Sequence, residues 1–229
     1  MDELVEEVLL RLPPDSPASL VRAALVSKSW CRLVSDAGFR RRFWEFHLTP
    51  PILGFLWDHS DGGVYNARFV PTSTSWLSNV DNRGLRPWDS CHGRVLLHSY
   101  PAYYKDLRIV VWDPITNLKL ELPEAPPRSW YAQSRTTAVL CDSTVVGSCD
   151  HLDCHGGPFI VVLVGTEEKE IFSCVYSSET GVWSEPVSAA QCDDVCVGWE
   201  RSALAGNTLF FVAEKNMKEN IDSRCQISG

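Results

Sequence analysis

The chain has 229 residues, of which 45% are hydrophobic and 22% are charged, and its formal net charge is −8. This length allows one large domain or a small module joined to a larger one, and it excludes a large multidomain enzyme. The composition excludes a disordered or fibrous protein. The longest apolar run, residues 159–164, is far shorter than the ~20 residues of a membrane span, and the start of the chain is acidic where a signal peptide would be basic. We therefore expect a soluble protein of the cytoplasm, the nucleus or both.

Charge and turn residues divide the chain near residue 48. Residues 1–48 hold seven bases and seven acids, whereas residues 49–229 hold 14 bases and 22 acids. Such an acidic body argues against nucleic-acid binding, which needs a clustered basic face. Glycine and proline are sparse up to His47 and frequent after Pro50. The sequence thus predicts a head (1–48), a body (49–214) and a flexible tail (215–229).

The head has the apolar spacing of short amphipathic helices. Leu4 and Val8 lie on one face of a first helix that Pro13 ends, while Ser16 and Asp36 predict the N-caps of the second and the last helix. Four short helices in fewer than 50 residues bury little surface. We therefore expect a partner, or the body, to cover part of the head.

The head resembles an F-box, with a Leu-Pro break at Leu12 and Pro13, a Val-Ser-Lys-x-Trp segment at 26–30 and Phe39 downstream. The resemblance implies that the head docks onto a Skp-type adaptor and thereby joins a cullin-RING ubiquitin ligase. It departs from the family where Met1 directly precedes Asp2, in place of an opening Leu-Pro pair. Trp30 is expected mainly to pack inside the head, with adaptor contact as the alternative. The full set of expected adaptor-binding residues is Leu4, Val8, Leu12, Pro13, Leu20, Val26, Lys28 and Trp30.

The body reads as a series of short strands. The runs are rich in β-branched and aromatic residues and lie between turn signals, which predicts an all-β sandwich, barrel or propeller. The runs are 54–57, 67–70, 94–98, 108–112, 118–122, 136–141, 159–164, 171–176 and 209–212.

An internal repeat favours the propeller. Residues 110–117 align with residues 174–181 at an offset of 64, and residues 93–97 echo residues 206–210. In the first pair, an aromatic strand enters a turn that ends with Asn117 or Gly181, residues that adopt positive φ cheaply. A strand, a hairpin and a restart form the pattern of a propeller blade.

The body resembles the kelch-like, propeller-type domain that follows the F-box in a large group of plant F-box proteins. The resemblance lies in segments 91–97, 111–114, 150–159 and 176–181, and it implies that the body holds a target protein, whose identity the residues do not give. The expected fold is multidomain α+β, a helical F-box module followed by an all-β, propeller-like domain. The 181 residues after the head suffice for about four blades of about 40–45 residues. Since the chain turns polar after Val212, we expect no further strand, an open body and an exposed strand edge.

Cysteine and histidine supply the alternatives that involve chemistry. Nine cysteines, an odd number, indicate free thiols. Cys149, His151, Cys154 and His155 have metal-ligating side chains but crowd into seven residues, with Cys141 nearby. Because neighbours in the chain cannot easily reach one tetrahedral ion, we expect an ordinary loop here, with no metal and no cofactor.

The sequence predicts a protein that is not an enzyme. It has no nucleophile elbow, P-loop or dinucleotide-binding glycine motif. The function expected from the resemblance is that of a substrate receptor in an F-box ubiquitin ligase, which binds the adaptor through the head and a target through the body. The alternative is a noncatalytic β-rich interaction protein whose head or body no longer supports ligase assembly.

Overall fold

The computed structural model describes residues 2–14, 16–48, 52–61, 64–72, 81–99, 107–127, 132, 134–142, 154–167, 170–190, 195–205 and 208–215. In these residues four α-helices come first and 15 β-strands follow. None of the helices in these ranges is both long enough and apolar enough to cross a bilayer.

The helices are α1 (Asp2–Leu10), α2 (Pro17–Ala24), α3 (Lys28–Ser35) and α4 (Ala37–His47). The predicted N-cap of the last helix is confirmed, because the Asp36 carboxylate accepts a hydrogen bond of 3.0 Å from the Phe39 amide. Ser16 stands at the N-cap position of α2, but its hydroxyl lies 3.0 Å from that of Ser19 and makes no capping bond. Ser27 caps α3 by accepting from the Trp30 amide at 3.2 Å.

The strands begin soon after the last helix. The boundary at residue 48 stays a prediction, with α4 ending at His47 and the first strand starting at Gly54. The strands are β1 (Gly54–Asp61), β2 (Val64–Pro71), β3 (Leu85–Cys91), β4 (Arg94–Ser99), β5 (Ile109–Trp112), β6 (Lys119–Glu121), β7 (Ser134–Cys141), β8 (Phe159–Glu167), β9 (Glu170–Ser177), β10 (Val182–Trp183), β11 (Val187–Ala190), β12 (Val195–Val197), β13 (Ala203–Ala205), β14 (Thr208–Phe210) and β15 (Ala213–Lys215).

The strands form a series of antiparallel sheets in chain order. Strands β1 and β2 make a hairpin. The sheet β3-β4-β5-β6, called the first sheet, and the sheet β10-β9-β8-β7 with β11 also on β9, called the second sheet, place consecutive strands side by side. The pairs β12-β15 and β13-β14 follow. The described strands form no closed barrel.

Alternating side chains bury both faces of the first sheet. Leu96 and Val111, which are register partners, face the second sheet. Leu97 and its partner Val110 face the opposite way, into a smaller core. Because side chains alternate along a strand, the two strands serve two cores at once. The hairpin covers the smaller core with Leu56 and Phe69.

The second sheet is likewise covered on two sides. Val161 and Leu163 of β8 point into the core shared with the first sheet and are fully buried. Thr166, also fully buried, accepts a hydrogen bond of 2.9 Å from the amide of Val197 in β12. The order of packing therefore follows the chain: hairpin, first sheet, second sheet, then the β12-β15 pair.

The internal repeat predicted from the sequence corresponds to two equivalent hairpin turns. Asn117 leads into β6 with φ 59°, and Gly181, 64 positions later, leads into β10 with φ 72°. The aromatic residues before these turns, Trp112 and Tyr176, are both buried. The second echo is less complete, since Gly206 lies outside the described residues.

Several strands were missed, and one expectation is wrong. β3 was not predicted because Pro87 and Asp89 interrupt its apolar pattern, and its pairing with β4 shifts register between these two residues. The predicted strand 209–212 ends at Phe210. The expectation that no strand follows Val212 is incorrect, because β15 pairs with β12. The expected tail includes the last residue of β15, Lys215, and its remaining residues, 216–229, lie outside the described part.

The buried carboxylate of Asp89 links the two sheets. Its Oδ2 accepts a hydrogen bond of 2.9 Å from the amide of Val139 in β7. Burial raises the pKa of Asp89 above its ordinary value, and the hydrogen bonds from the amides of Val139 and Ser90 act in the opposite direction. This bond aligns β3 with β7 across the sheet boundary.

We predict that Gly181→Ala lowers the free energy of unfolding by about 1–2 kcal/mol, because alanine is strained at a positive φ. An added Cβ meets no atom within 4 Å at Gly181 or at Gly156, and Gly156 lies outside the left-handed region. Gly156→Ala is therefore the matched control, with an expected change within about 0.5 kcal/mol. Urea unfolding measures both variants, and equal losses would contradict the assignment of strain to the Gly181 turn.

We predict that His98 lowers the free energy of unfolding as the pH falls from 6.5 to about 4. Burial lowers the pKa of His98 from 6.5 to about 4, so the unfolded chain takes up the proton first and stability falls as the pH falls through this range. The loss is up to about 3 kcal/mol. His98→Asn keeps a donor for the Ser99 carbonyl, 2.9 Å from Nδ1 in the wild type. Thermal unfolding at several pH values should show a flatter profile for this variant, and parallel profiles would refute the prediction.

Candidate functional site

The head exposes a set of apolar side chains from different helices. Leu4 and Val8 of α1 are 73% and 61% exposed, and Val26, between α2 and α3, is 67% exposed. Contact with water does not favour the exposure of such apolar side chains. Three large apolar groups exposed on so small a module favour a protein contact. We call Leu4, Val8 and Val26 the apolar set of the head.

The other residues expected to bind the adaptor differ in exposure. Pro13 and Lys28 are exposed, whereas Leu12, Leu20 and Trp30 are half-buried. The half-buried position of Trp30 leaves room for both internal packing and partner contact. Adaptor contact by each of these residues stays a prediction.

The head has a small core that joins its first and last helices. Leu9 and Phe39 are almost fully buried. The Phe39 and Phe43 ring centroids lie 6.1 Å apart. The His47 ring nitrogen Nε2 lies 2.9 Å from the Leu10 carbonyl oxygen. The contact of His47 with the Leu10 carbonyl holds α4 against α1 and thereby fixes how the exposed side chains of α1 are presented.

The expected set omits several exposed apolar residues of the head, of which Leu25 is the most exposed. Leu25, at the C-cap of α2, is 81% exposed. Its spacing continues the apolar period of α2, yet its side chain lies on the surface. The available signal was its place directly before Val26, in the segment that resembles an F-box. An exposed leucine there extends the apolar surface around Val26.

A second cluster lies at one end of the two large sheets. Nδ1 or Nε2 of His92 and the Sγ atoms of Cys141 and Cys154 all lie within 4.8 Å of one another, and all three residues are half-buried. The metal candidates weighed from the sequence are distributed differently. Cys149 and His151 lie outside the described residues, as does the side chain of His155, so that of the four only Cys154 is placed.

Arg94 lies beside this cluster. Its side chain is almost fully buried, donates from Nη2 to the Gly157 carbonyl and lies 5.0 Å from the centroid of the Phe159 ring. Burial lowers the pKa of Arg94, while the neighbouring thiols of Cys154 and Cys141 act to raise it. The guanidinium thus ties the β3-β4 turn to the start of β8, beside the cysteines.

The neighbouring Cys91 belongs to the core. It packs against the apolar layer between the two sheets. Burial, and then the nearby Asp89 carboxylate, raise the pKa of the Cys91 thiol to about 11. This thiol is therefore protonated at neutral pH and is a poor nucleophile.

A shallow cavity of about 320 Å³ lies beside β5 and β6. Its lining includes Asp81, Arg108, Lys119 and Glu121. Arg108 donates two hydrogen bonds to the Glu121 carboxylate, at 2.8 and 2.7 Å, and Lys119 donates to the Asp81 carbonyl. Because its cations already have partners, this cavity is a weaker candidate than the surface of the head.

Comparison with known proteins identifies the head. Residues 2–42 match the F-box domain. Comparisons with curated proteins and with solved structures give no match. An F-box domain binds Skp-type adaptors of cullin-RING ligases, and F-box proteins are generally noncatalytic adaptors in those complexes. Residues 2–42 are therefore similar to an F-box domain, and a β-rich region follows them.

Proposed function

We propose that this protein is a substrate receptor of an SCF-type ubiquitin ligase, with its head on the Skp-type adaptor and a target protein on its β-rich region. The observation that carries the proposal is the exposed apolar set of Leu4, Val8 and Val26 on a domain that matches the F-box. Apolar anchors of this kind are the groups that a partner's helices desolvate. The other expected contacts are Leu12, Pro13, Leu20, Lys28 and Trp30.

The charge of the head supports a directed encounter. Residues 2–15 carry five acids and one base, whereas residues 22–45 carry six bases and two acids. A basic surface steers an acidic partner and raises the rate of association more than the affinity. We infer that α3 and α4 meet an acidic part of the adaptor, while the apolar set supplies most of the binding energy.

The β-rich region is proposed as a propeller-like scaffold for the target, as in the kelch-like domains of plant F-box proteins. Support comes from the two sheets in which consecutive strands are neighbours, and from the equivalent turns at Asn117 and Gly181. Its role in ubiquitylation is positional, since holding a substrate beside a ligase raises the effective concentration of the reacting groups. The protein is proposed to supply no catalytic group of its own.

We predict that Val8→Asp raises the Kd for a Skp-type adaptor by roughly 30-fold or more, which corresponds to about 2 kcal/mol for a buried anchor. Val182→Asp is the matched control, because Val182 is 59% exposed against 61% for Val8 but belongs to β10. The measurement is isothermal calorimetry on the full chain with purified adaptor, with circular dichroism to verify folding. Equal affinities for the two variants, or no binding by the wild type, would overturn the proposal.

The Val8→Asp variant separates the two halves of the function in cells. Val8→Asp should retain the proteins bound to the β-rich region, whereas ubiquitylation of those proteins should fall. If ubiquitylation is unchanged by Val8→Asp, the chain does not act through the adaptor. Such a result would favour the alternative, a β-rich interaction protein outside the ligase.

A further inference from the structure

The cluster of His92, Cys141 and Cys154 brings together residues from three separate parts of the chain. His92 lies in the two-residue turn between β3 and β4, Cys141 is the last residue of β7, and Cys154 opens a short 3₁₀ helix before β8. Their ligand atoms lie within 4.8 Å of one another. An imidazole and two thiols at this distance are the side chains that zinc prefers.

We propose that His92, Cys141 and Cys154 form a zinc site that clamps the end of the second sheet to the turn of the first. Zinc sites of this kind use a neutral imidazole and thiolates, so binding releases the two thiol protons to solvent and no electron is transferred. Among the described residues no fourth ligand joins these three, and a water molecule would complete the tetrahedron. Zinc binding at this site does not require the adaptor.

The distances fit a tetrahedral ion after a small adjustment. Two sulfur atoms at about 2.3 Å from zinc are about 3.8 Å apart, and a sulfur and a nitrogen are closer still. The three ligand atoms, within 4.8 Å of one another, need to approach by at most about 1.3 Å. Side-chain rotation at the end of a strand and in a turn supplies a movement of this size.

The backbone holds the three ligands in place without the metal. Cys141 is the register partner of Phe159, and the amide of Asp142 donates to the Pro158 carbonyl at 2.9 Å. These bonds bring the end of β7 next to the 3₁₀ helix that contains Cys154. The hydrogen bond from Arg94 to the Gly157 carbonyl then draws the turn of His92 to the same place.

The environment of Arg94 independently points to bound thiolates. It is almost fully buried, and its Nη1 has no hydrogen-bond partner among the described residues. A buried guanidinium without a full set of acceptors is costly. Metal-bound thiolates offer it negative sulfur acceptors, and together they balance the two charges of the zinc ion.

The conformation of His92 does not by itself call for histidine. His92 and Gly93 have φ 49° and 78°, as the two residues of a type I′ turn require. Asn-Gly is the preferred pair in such a turn. His92→Asn is therefore a sharp variant, because it removes the imidazole while it suits the turn at least as well as histidine does.

The test is metal binding by the full reduced chain, with Zn²⁺ and Co²⁺ as the probes. The wild type should retain one zinc per chain after desalting, and Co²⁺ should give thiolate-to-metal charge-transfer and tetrahedral d–d bands that zinc abolishes. Cys141→Ser, Cys154→Ser and His92→Asn should each weaken binding by about 100-fold or more, beyond the 10–100-fold typical of outer-shell changes. Cys196→Ser is the matched control, since Cys196 is also half-buried but lies in β12.

Stability gives a second readout. A chelator should lower the melting temperature of the wild type and of Cys196→Ser by several degrees, because zinc binds the folded chain in preference to the unfolded one. The chelator should leave the melting temperature of His92→Asn unchanged. That melting temperature should equal or exceed the melting temperature of the chelated wild type. The proposal fails if Co²⁺ spectra of His92→Asn and the wild type agree, if no zinc is retained, or if the chain purified without oxygen contains a Cys141–Cys154 disulfide.

Discussion

The apolar layer between the first and the second sheet is the contact on which the rest of the structure depends. Val111 on one side and Val161 and Leu163 on the other are almost fully buried, and each such side chain contributes roughly 1.5–3 kcal/mol. Because strand residues alternate, the same sheets present apolar groups on their outer faces as well. Each sheet must therefore be covered by its neighbour in the chain. The bond from the Val139 amide to Asp89 fixes the alignment within this layer.

The sequence predicts those parts of the fold that depend on neighbouring residues. Helix caps such as Asp36 and the turns at Asn117 and Gly181 are local, and their positions could be read from residue type and spacing. The position of β3 could not be read in this way. Trp88 and Asp89 are buried because the second sheet covers them, and the sequence of β3 shows no alternating apolar pattern. The pairing of β12 with β15 joins residues far apart in the chain, which no local pattern indicates.

The same distinction explains the candidate sites. The F-box is a continuous segment, so its apolar positions and its resemblance could be recognised directly. The histidine and cysteine cluster is assembled by strand pairing and by Arg94, and its members are separated by 49 and 13 positions. The sequence instead indicated Cys149 and His151 as candidate metal ligands, because they lie close to Cys154 in the chain. Only the register of β7 with β8 indicates that Cys141 lies near Cys154.

The small core of the head couples its stability to its binding. Leu9 and Phe39 are its almost fully buried apolar residues, whereas Leu4 and Val8, on the same first helix as Leu9, remain exposed. A partner that covers these groups adds its binding free energy to folding, about 2.7 kcal/mol at a concentration 100 times the Kd. A larger internal core would need those side chains for itself and would remove the docking surface. Low intrinsic stability of the head is thus the physical counterpart of its exposed apolar set.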